Sequence, residues 1–242
     1  MIIQSETVEV ATPTGPMRTY VYRPVGDRAW PGVVFFSEIF QQTGPIERTA
    51  RLIAGHGYVV AVPEVFHELE PAGTVLAYDT AGAARGNQHK VDKPISAFDD
   101  DARALVAWLR SATFCTGRIG AFGVCLGGHL AFRCAMEPEV AVAACCYPTD
   151  IHQGSLGKGG DDSLARIPEL RGELLMIWGR QDPHIPDAGR SLVQQRLVAA
   201  GTTFTWHEVN AQHAFLRDEG PRYDPELALV VYRLVLDLLR RL

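Results

Sequence analysis

Short apolar runs bounded by glycine, proline or serine alternate along this chain with longer stretches in which apolar residues recur every three or four positions. Gly32 to Phe36, Tyr58 to Val62, Val140 to Cys146, Glu173 to Trp178 and Phe204 to Val209 read as strands, the first a continuous apolar run as a buried parallel strand should be. Between and after them, Pro45 to Gly55, Ile95 to Arg110, Leu126 to Met136, Pro186 to Ala200 and Asp224 to Leu242 read as helices. In the second of these Phe98, Ala102, Leu105 and Leu109 share a face, and in the last Leu227, Val231, Leu234 and Leu238 do. Such alternation predicts an α/β fold, a mainly parallel central sheet flanked by helices in a single domain over residues 1–242. Thr7 to Val10 and Met17 to Tyr22, separated by Pro13-Thr14-Gly15-Pro16, predict an antiparallel hairpin covering one sheet edge. Residues 63–94 have no clear period, and a polar, glycine-containing stretch of that length predicts a cap over a functional site.

One junction departs from simple alternation. Arg118-Ile-Gly-Ala-Phe-Gly-Val-Cys-Leu-Gly-Gly-His129 runs from a strand-like segment through glycines straight into a helix, with Cys125 at the turn. Gly123 and Gly127 flank Cys125 at two residues on either side, where side chains would crowd a residue forced into a strained conformation. G-x-C-x-G is the strand-to-helix nucleophile turn of an α/β-hydrolase with sulfur in place of the serine oxygen.

Composition narrows the partners. The formal charge of −5 is modest and no Lys/Arg cluster stands out, so neither nucleic acid nor an anionic membrane is the expected partner; a small molecule is. No apolar run approaches the ~20 residues of a membrane span, and Met1 to Val10 carries acidic residues where a signal peptide would be apolar, so a cytoplasmic location is expected. The five cysteines, Cys115, Cys125, Cys134, Cys145 and Cys146, show no C-x-x-C spacing, which argues for reduced thiols over a disulfide framework or a zinc site. The glycine-rich loop from Gly154 to Gly160 lacks the Lys-Ser/Thr ending of a phosphate cradle. Asp99, Asp100 and Asp101 fit the positive end of their helix as solvated charges, and His56, His67, His89 and His152 show no spacing that favours a metal. No metal and no cofactor are expected. A monomer is compatible with the sequence, which leaves the oligomeric state open.

A thiol of ordinary pKa, about 8.5, is mostly protonated at neutral pH and needs a base. The hydrolase chain order places an acid after the nucleophile and a histidine last, each in a loop that follows a sheet strand. Asp182 and His213 occupy those places: His213 as base toward Cys125 and then as acid toward the leaving oxygen, Asp182 as the group that orients the imidazole. Alone, an Asp before Pro is a turn former and a loop histidine says little; together, in order and beside the turn, they form a candidate triad. Asp187 is the alternative acid, His184 and His207 are weaker bases, and His129 reads as structural. The backbone N–H groups of Leu126 and Ile39 are the candidate oxyanion donors, one following the nucleophile and one from the loop after the early strand.

At these residues the chain resembles the dienelactone hydrolases, or carboxymethylenebutenolidases. The resemblance rests on Ser37-Glu38-Ile39-Phe40, Gly123-Val124-Cys125-Leu126-Gly127-Gly128, Gly179-Arg180-Gln181-Asp182 and His213-Ala214-Phe215-Leu216-Arg217. It implies opening of a carboxylate-bearing enol-lactone, of the dienelactone-to-maleylacetate type, through an acyl-thiol intermediate and without a cofactor. It also implies that Glu38 contacts the resting thiol and accepts its proton once substrate binds, as a buried carboxylate of raised pKa could. Arg217 matches the family's carboxylate-binding position; Arg85, in the divergent cap, is a second candidate or a solvated loop charge. After Glu-Ile-Phe the family pattern continues with glycine and asparagine, whereas this chain has Gln41-Gln42-Thr43-Gly44. Tyr78, Tyr147 and Trp178 are candidate pocket walls. Alternatives are an esterase or thioesterase of the same family, a non-catalytic hydrolase-fold binding protein, and a redox thiol protein, the last lacking a resolving cysteine.

Overall fold

Every residue from 1 to 242 is described by the computed structural model of the chain. A single eight-stranded sheet runs through the molecule in the order β1-β2-β4-β3-β5-β6-β7-β8. β1 (Ile3–Thr12) and β2 (Gly15–Pro24) form the antiparallel hairpin, and β2 pairs antiparallel with β4 (Val59–Pro63). The hairpin therefore extends the sheet. Both its strands outrun their apolar positions because the ladder pairs every residue from Ile3 with Pro24 to Thr12 with Gly15. β3 (Trp30–Phe36), β5 (Cys115–Val124), β6 (Val140–Cys146), β7 (Glu173–Gly179) and β8 (Phe204–Val209) are all parallel to β4. β4 is buried at every residue, and β3 from Gly32 to Phe36, which is why these strands read as unbroken apolar runs rather than alternations.

Six α-helices cover the sheet: α1 (Gly44–Gly55), α2 (Thr80–Asp92), α3 (Ile95–Ser111), α4 (Leu126–Cys134), α5 (Asp187–Ala199) and α6 (Pro225–Leu239). α3 buries Phe98, Ala102, Leu105 and Leu109, the stripe seen in its sequence. α2 lies inside the stretch without a period, and its packing explains its silence. Its buried residues are Gly82 and Gly86, which bring the helix axis against backbone, so it has no apolar stripe to reveal. Asp79 caps it, accepting a hydrogen bond from Gly82 N–H at 2.7 Å.

Two of the three aspartates of α3 are not solvated charges. Asp101 is buried, receiving the ammonium of Lys93 at 2.5 Å, with His67 Nε2 at 3.1 Å from its other oxygen; Glu68 lies 2.7 Å from the same ammonium. His67, Glu68 and Asp101 thus converge, with Lys93 as the cation among them. Asp99 pairs with Arg133 of α4 and with Arg166. Both depart from expectation because their cationic partners come from outside the helix. The Lys93 cluster also ties residues 64–68 to the start of α3, fixing both ends of the segment that carries α2. No helix is long and apolar enough to cross a membrane.

Candidate active site

β5 stops at Val124 and α4 starts at Leu126, leaving Cys125 alone to make the turn at φ 59°, ψ −124°. Its N–H is held by Cys146 O at 3.1 Å. The flanking glycines are sterically required: a Cβ at Gly123 would stand 1.8 Å from Gly127 O, and one at Gly127 2.0 Å from Phe36 O. The other non-glycine residues at positive φ are Gln41, Tyr147, Asp150 and Ala214, each in a segment that follows a sheet strand near this turn. Strain of about 1–3 kcal/mol per residue is thereby concentrated around one site.

Asp182 follows β7 and His213 follows β8, and the parallel order of the sheet brings both to the Cys125 end. His213 Nδ1 lies 2.6 Å from Asp182 Oδ2, and the other Asp182 oxygen accepts the His184 N–H at 2.9 Å. Tyr147 packs edge-on against the His213 ring at 5.0 Å and His184 does so at 4.8 Å. Burial by itself lowers the pKa of His213, but the negative charge available to Cys125 and the hydrogen bond to Asp182 outweigh it and push the imidazole up to about 10. His184 moves the other way, lowered first by burial and then by the charge of His213. Asp187, the alternative acid, sits in the first turn of α5 with an exposed side chain paired to Arg190, and His207 lies within β8. Neither belongs to the cavity described below.

The two candidate oxyanion donors flank the turn. Leu126 is the first residue of α4 and has no intrahelical acceptor for its N–H; Ile39 N–H makes no hydrogen bond within the protein. A cavity of about 450 Å³ opens here, and Cys125, His213, Ile39, His184 and Arg217 line it. Its size is that of a small-ligand site.

Glu38 is buried but makes no hydrogen bond to Cys125. Arg217 Nε lies 3.0 Å from one of its oxygens and the Arg217 amino group 2.9 Å from the other, while the Tyr78 hydroxyl is 3.3 Å away. The guanidinium also rests on the Tyr78 ring at 4.4 Å. The contact implied by resemblance between Glu38 and the resting thiol is thus replaced by an ion pair. Arg85 is not brought to the cavity: its guanidinium is bound to the buried Glu70 at 2.6 Å, beside His89. Trp178 is a buried core residue packed on Trp206 rather than a pocket wall.

Sequence reasoning missed Lys90, Asp150 and Arg222, all on the cavity wall. Lys90 projects from α2, the helix without a stripe, and pairs with Asp150 at 2.9 Å. Arg222 follows Pro221 in the loop before α6 and makes no ion pair or hydrogen bond. No local pattern marks it.

The sequence and the fold of this chain are similar to those of known proteins. A family profile described as "Dienelactone hydrolase family" matches residues 17–242. A carboxymethylenebutenolidase homologue of Saccharomyces cerevisiae is 40% identical over 230 residues, covering 90% of this chain and 84% of its own. Carboxymethylenebutenolidase 1 of Cupriavidus pinatubonensis is 25% identical over 240 residues, covering 98% of this chain and 97% of its own. Among solved structures, a dienelactone hydrolase homologue from Klebsiella pneumoniae superposes with a TM-score of 0.87 over 100% of both chains at 23% identity, a likeness of fold.

Proposed function

The chain belongs to the dienelactone hydrolase family, and from that membership and the site geometry we propose that it opens a carboxylate-bearing enol-lactone with Cys125 as nucleophile. The observation that carries this reading is the convergence of Cys125 and His213 on one cavity, with Asp182 buried behind the imidazole at 2.6 Å from its Nδ1. The raised His213, with its hydrogen bond to Asp182, is a base suited to taking the proton of the attacking thiol.

The thiolate sulfur bonds to the lactone carbonyl carbon and the carbonyl π pair moves onto oxygen, where the N–H groups of Ile39 and Leu126 face the developing charge. Collapse breaks the ring C–O bond, and the His213 imidazolium gives its proton to the departing oxygen. Neutral His213 then takes a proton from water as it attacks the thioester, and the acid leaves from sulfur. Asp182 holds the imidazole in one tautomer throughout. Asp182→Asn removes an influence that raises His213, so the alkaline limb of kcat/KM should move to lower pH and kcat should fall by about 100-fold or more. The sign follows from the direction of the shift: the folded state favours protonated His213, and that preference is lost as pH rises through about 10. A pH–rate profile from pH 6 to 11 measures it, and an unmoved limb would remove His213 as the titrating acid.

Three cations line the cavity, and two already have carboxylate partners: Arg217 has Glu38 and Lys90 has Asp150. Displacing Glu38 would leave a buried carboxylate unpaired, which is costly. Arg222 is therefore the group proposed to receive the substrate carboxylate. Arg222→Ala should reduce kcat/KM for a carboxylated lactone or ester by about 10- to 100-fold and leave a neutral ester of the same leaving group nearly unchanged. Initial rates on dienelactone, a carboxylated aryl ester, its neutral counterpart and an acyl thioester test both points. Preference for the neutral ester or the thioester would favour the esterase or thioesterase reading, and absence of any acyl-thiol adduct would favour a binding protein.

A further inference from the structure

Gln41 occupies a position that only a strong local reason would give to a non-glycine residue. Its φ is 64° and its side chain is fully buried. L-residues other than asparagine and aspartate rarely adopt this conformation. The backbone closes a tight turn here, with Gln41 N–H donating to Glu38 O at 3.2 Å, and that turn presents Ile39 N–H to the cavity.

Both ends of the Gln41 amide are used. Its Nε2 donates to Thr74 O at 2.9 Å, and its Oε1 accepts from Phe66 N–H at 3.3 Å. Two further contacts join the same turn to the same segment. Leu76 N–H donates to Phe40 O at 3.2 Å. Gly86 of α2 packs so closely that a Cβ there would lie 2.6 Å from Ile39 O. Residues 66–86 thereby hold the two peptides that follow, at Ile39 O and Phe40 O, and the Gln41 N–H on Glu38 O carries that hold back to the peptide that bears the Ile39 N–H.

We infer that Gln41 is a positioning residue that locks the Ile39 oxyanion donor to the 64–92 segment, so that the donor and the cavity roof move as one body. The inference rests on the thiol-acylation reading proposed above. A residue at this site without the amide, or with a shorter one, keeps the fold of the turn but loses the cross-link. Gln41→Gly removes the amide and relaxes the backbone. Gln41→Asn keeps a side chain that tolerates the positive φ but is one methylene too short to span Thr74 and Phe66.

The test uses Gln41→Gly and Gln41→Asn with two probes of Cys125. An aryl trifluoromethyl ketone forms a hemithioketal: sulfur bonds to the carbonyl carbon, the π pair moves to oxygen, and that oxyanion faces Ile39 N–H. With iodoacetamide the sulfur bonds to the methylene carbon as the C–I bond breaks and iodide leaves, so no oxyanion develops. Both variants should lose about 10-fold in kcat and in ketone affinity together, with KM and the iodoacetamide rate within about 2-fold of wild type. Unchanged kcat and ketone affinity would overturn the inference, and so would a parallel fall in the iodoacetamide rate, which would show general disruption of the turn. Full kcat in Gln41→Asn, with loss only in Gln41→Gly, would also overturn it, because backbone stiffness rather than the span would then be decisive. If wild type itself neither hydrolyses an ester nor binds the ketone, the thiol-acylation reading fails instead.

Discussion

Cys125→Ala should abolish hydrolysis, lowering kcat by at least about 10⁴-fold, while the protein stays folded. In the proposed chemistry the lactone is attacked only by the Cys125 sulfur, and the water that His213 later activates acts on the thioester which that sulfur has formed. The substitution removes little volume from a residue at the cavity wall, and alanine meets the same strained φ of 59° that cysteine does. Stability should therefore change by about 1 kcal/mol or less. Cys125→Ser is the informative companion. It places a hydroxyl at the same turn beside the same histidine, but without the thiol's ready ionisation, so a small residual rate is expected. Rates on a carboxylated ester, with thermal unfolding of each variant, check both parts. Full activity in Cys125→Ala would end the assignment.

Gly127→Ala should be strongly destabilising. Its Cβ would meet Phe36 O at 2.0 Å and Ser37 O at 2.5 Å, and both are backbone atoms that no rotamer can move. Relief requires α4 to retreat from the end of β3, disturbing the turn that carries Glu38 and Ile39 as well as Cys125. A cost of roughly 3 kcal/mol or more is expected, or a fall in unfolding midpoint of about 6–12 °C for a chain of this size. Activity should drop even where the variant folds, because both oxyanion donors move. Calorimetry and rates at a temperature where the variant is folded provide the check. An unchanged midpoint would contradict the close approach of these backbones.

Much of the fold was legible because it rests on local rules. The central parallel strands showed as apolar runs since both faces are buried, whereas β8 at the sheet edge has no fully buried residue; α3 buries its whole stripe, and α6 buries Val231 and Leu238 of its stripe while Leu227 and Leu234 stay half-buried beside Ala228 and Val235. α2 was illegible for the opposite reason: its buried face consists of Gly82 and Gly86. The site divides in the same way. Cys125 announced itself through flanking glycines, and Asp182 and His213 through order and strand-end position. Arg85 did not join the cavity because Glu70 holds it, a pairing 15 residues apart that no spacing rule specifies. Arg222 and Asp150 went unseen since their roles come from facing one cavity.

What the sequence determined by itself was the α/β alternation, the turn at Cys125 and the order of its partners, because hydrophobic period and glycine sterics act over a few residues. Tertiary structure alone decided the pairings across the cavity. Glu38 with Arg217 joins residues 179 positions apart, Lys90 with Asp150 joins residues 60 apart, and Gln41 reaches Thr74 from 33 positions away. Such contacts depend on where the sheet and the 64–92 segment set each backbone, and a buried charge or amide takes whichever complementary group the fold brings within reach.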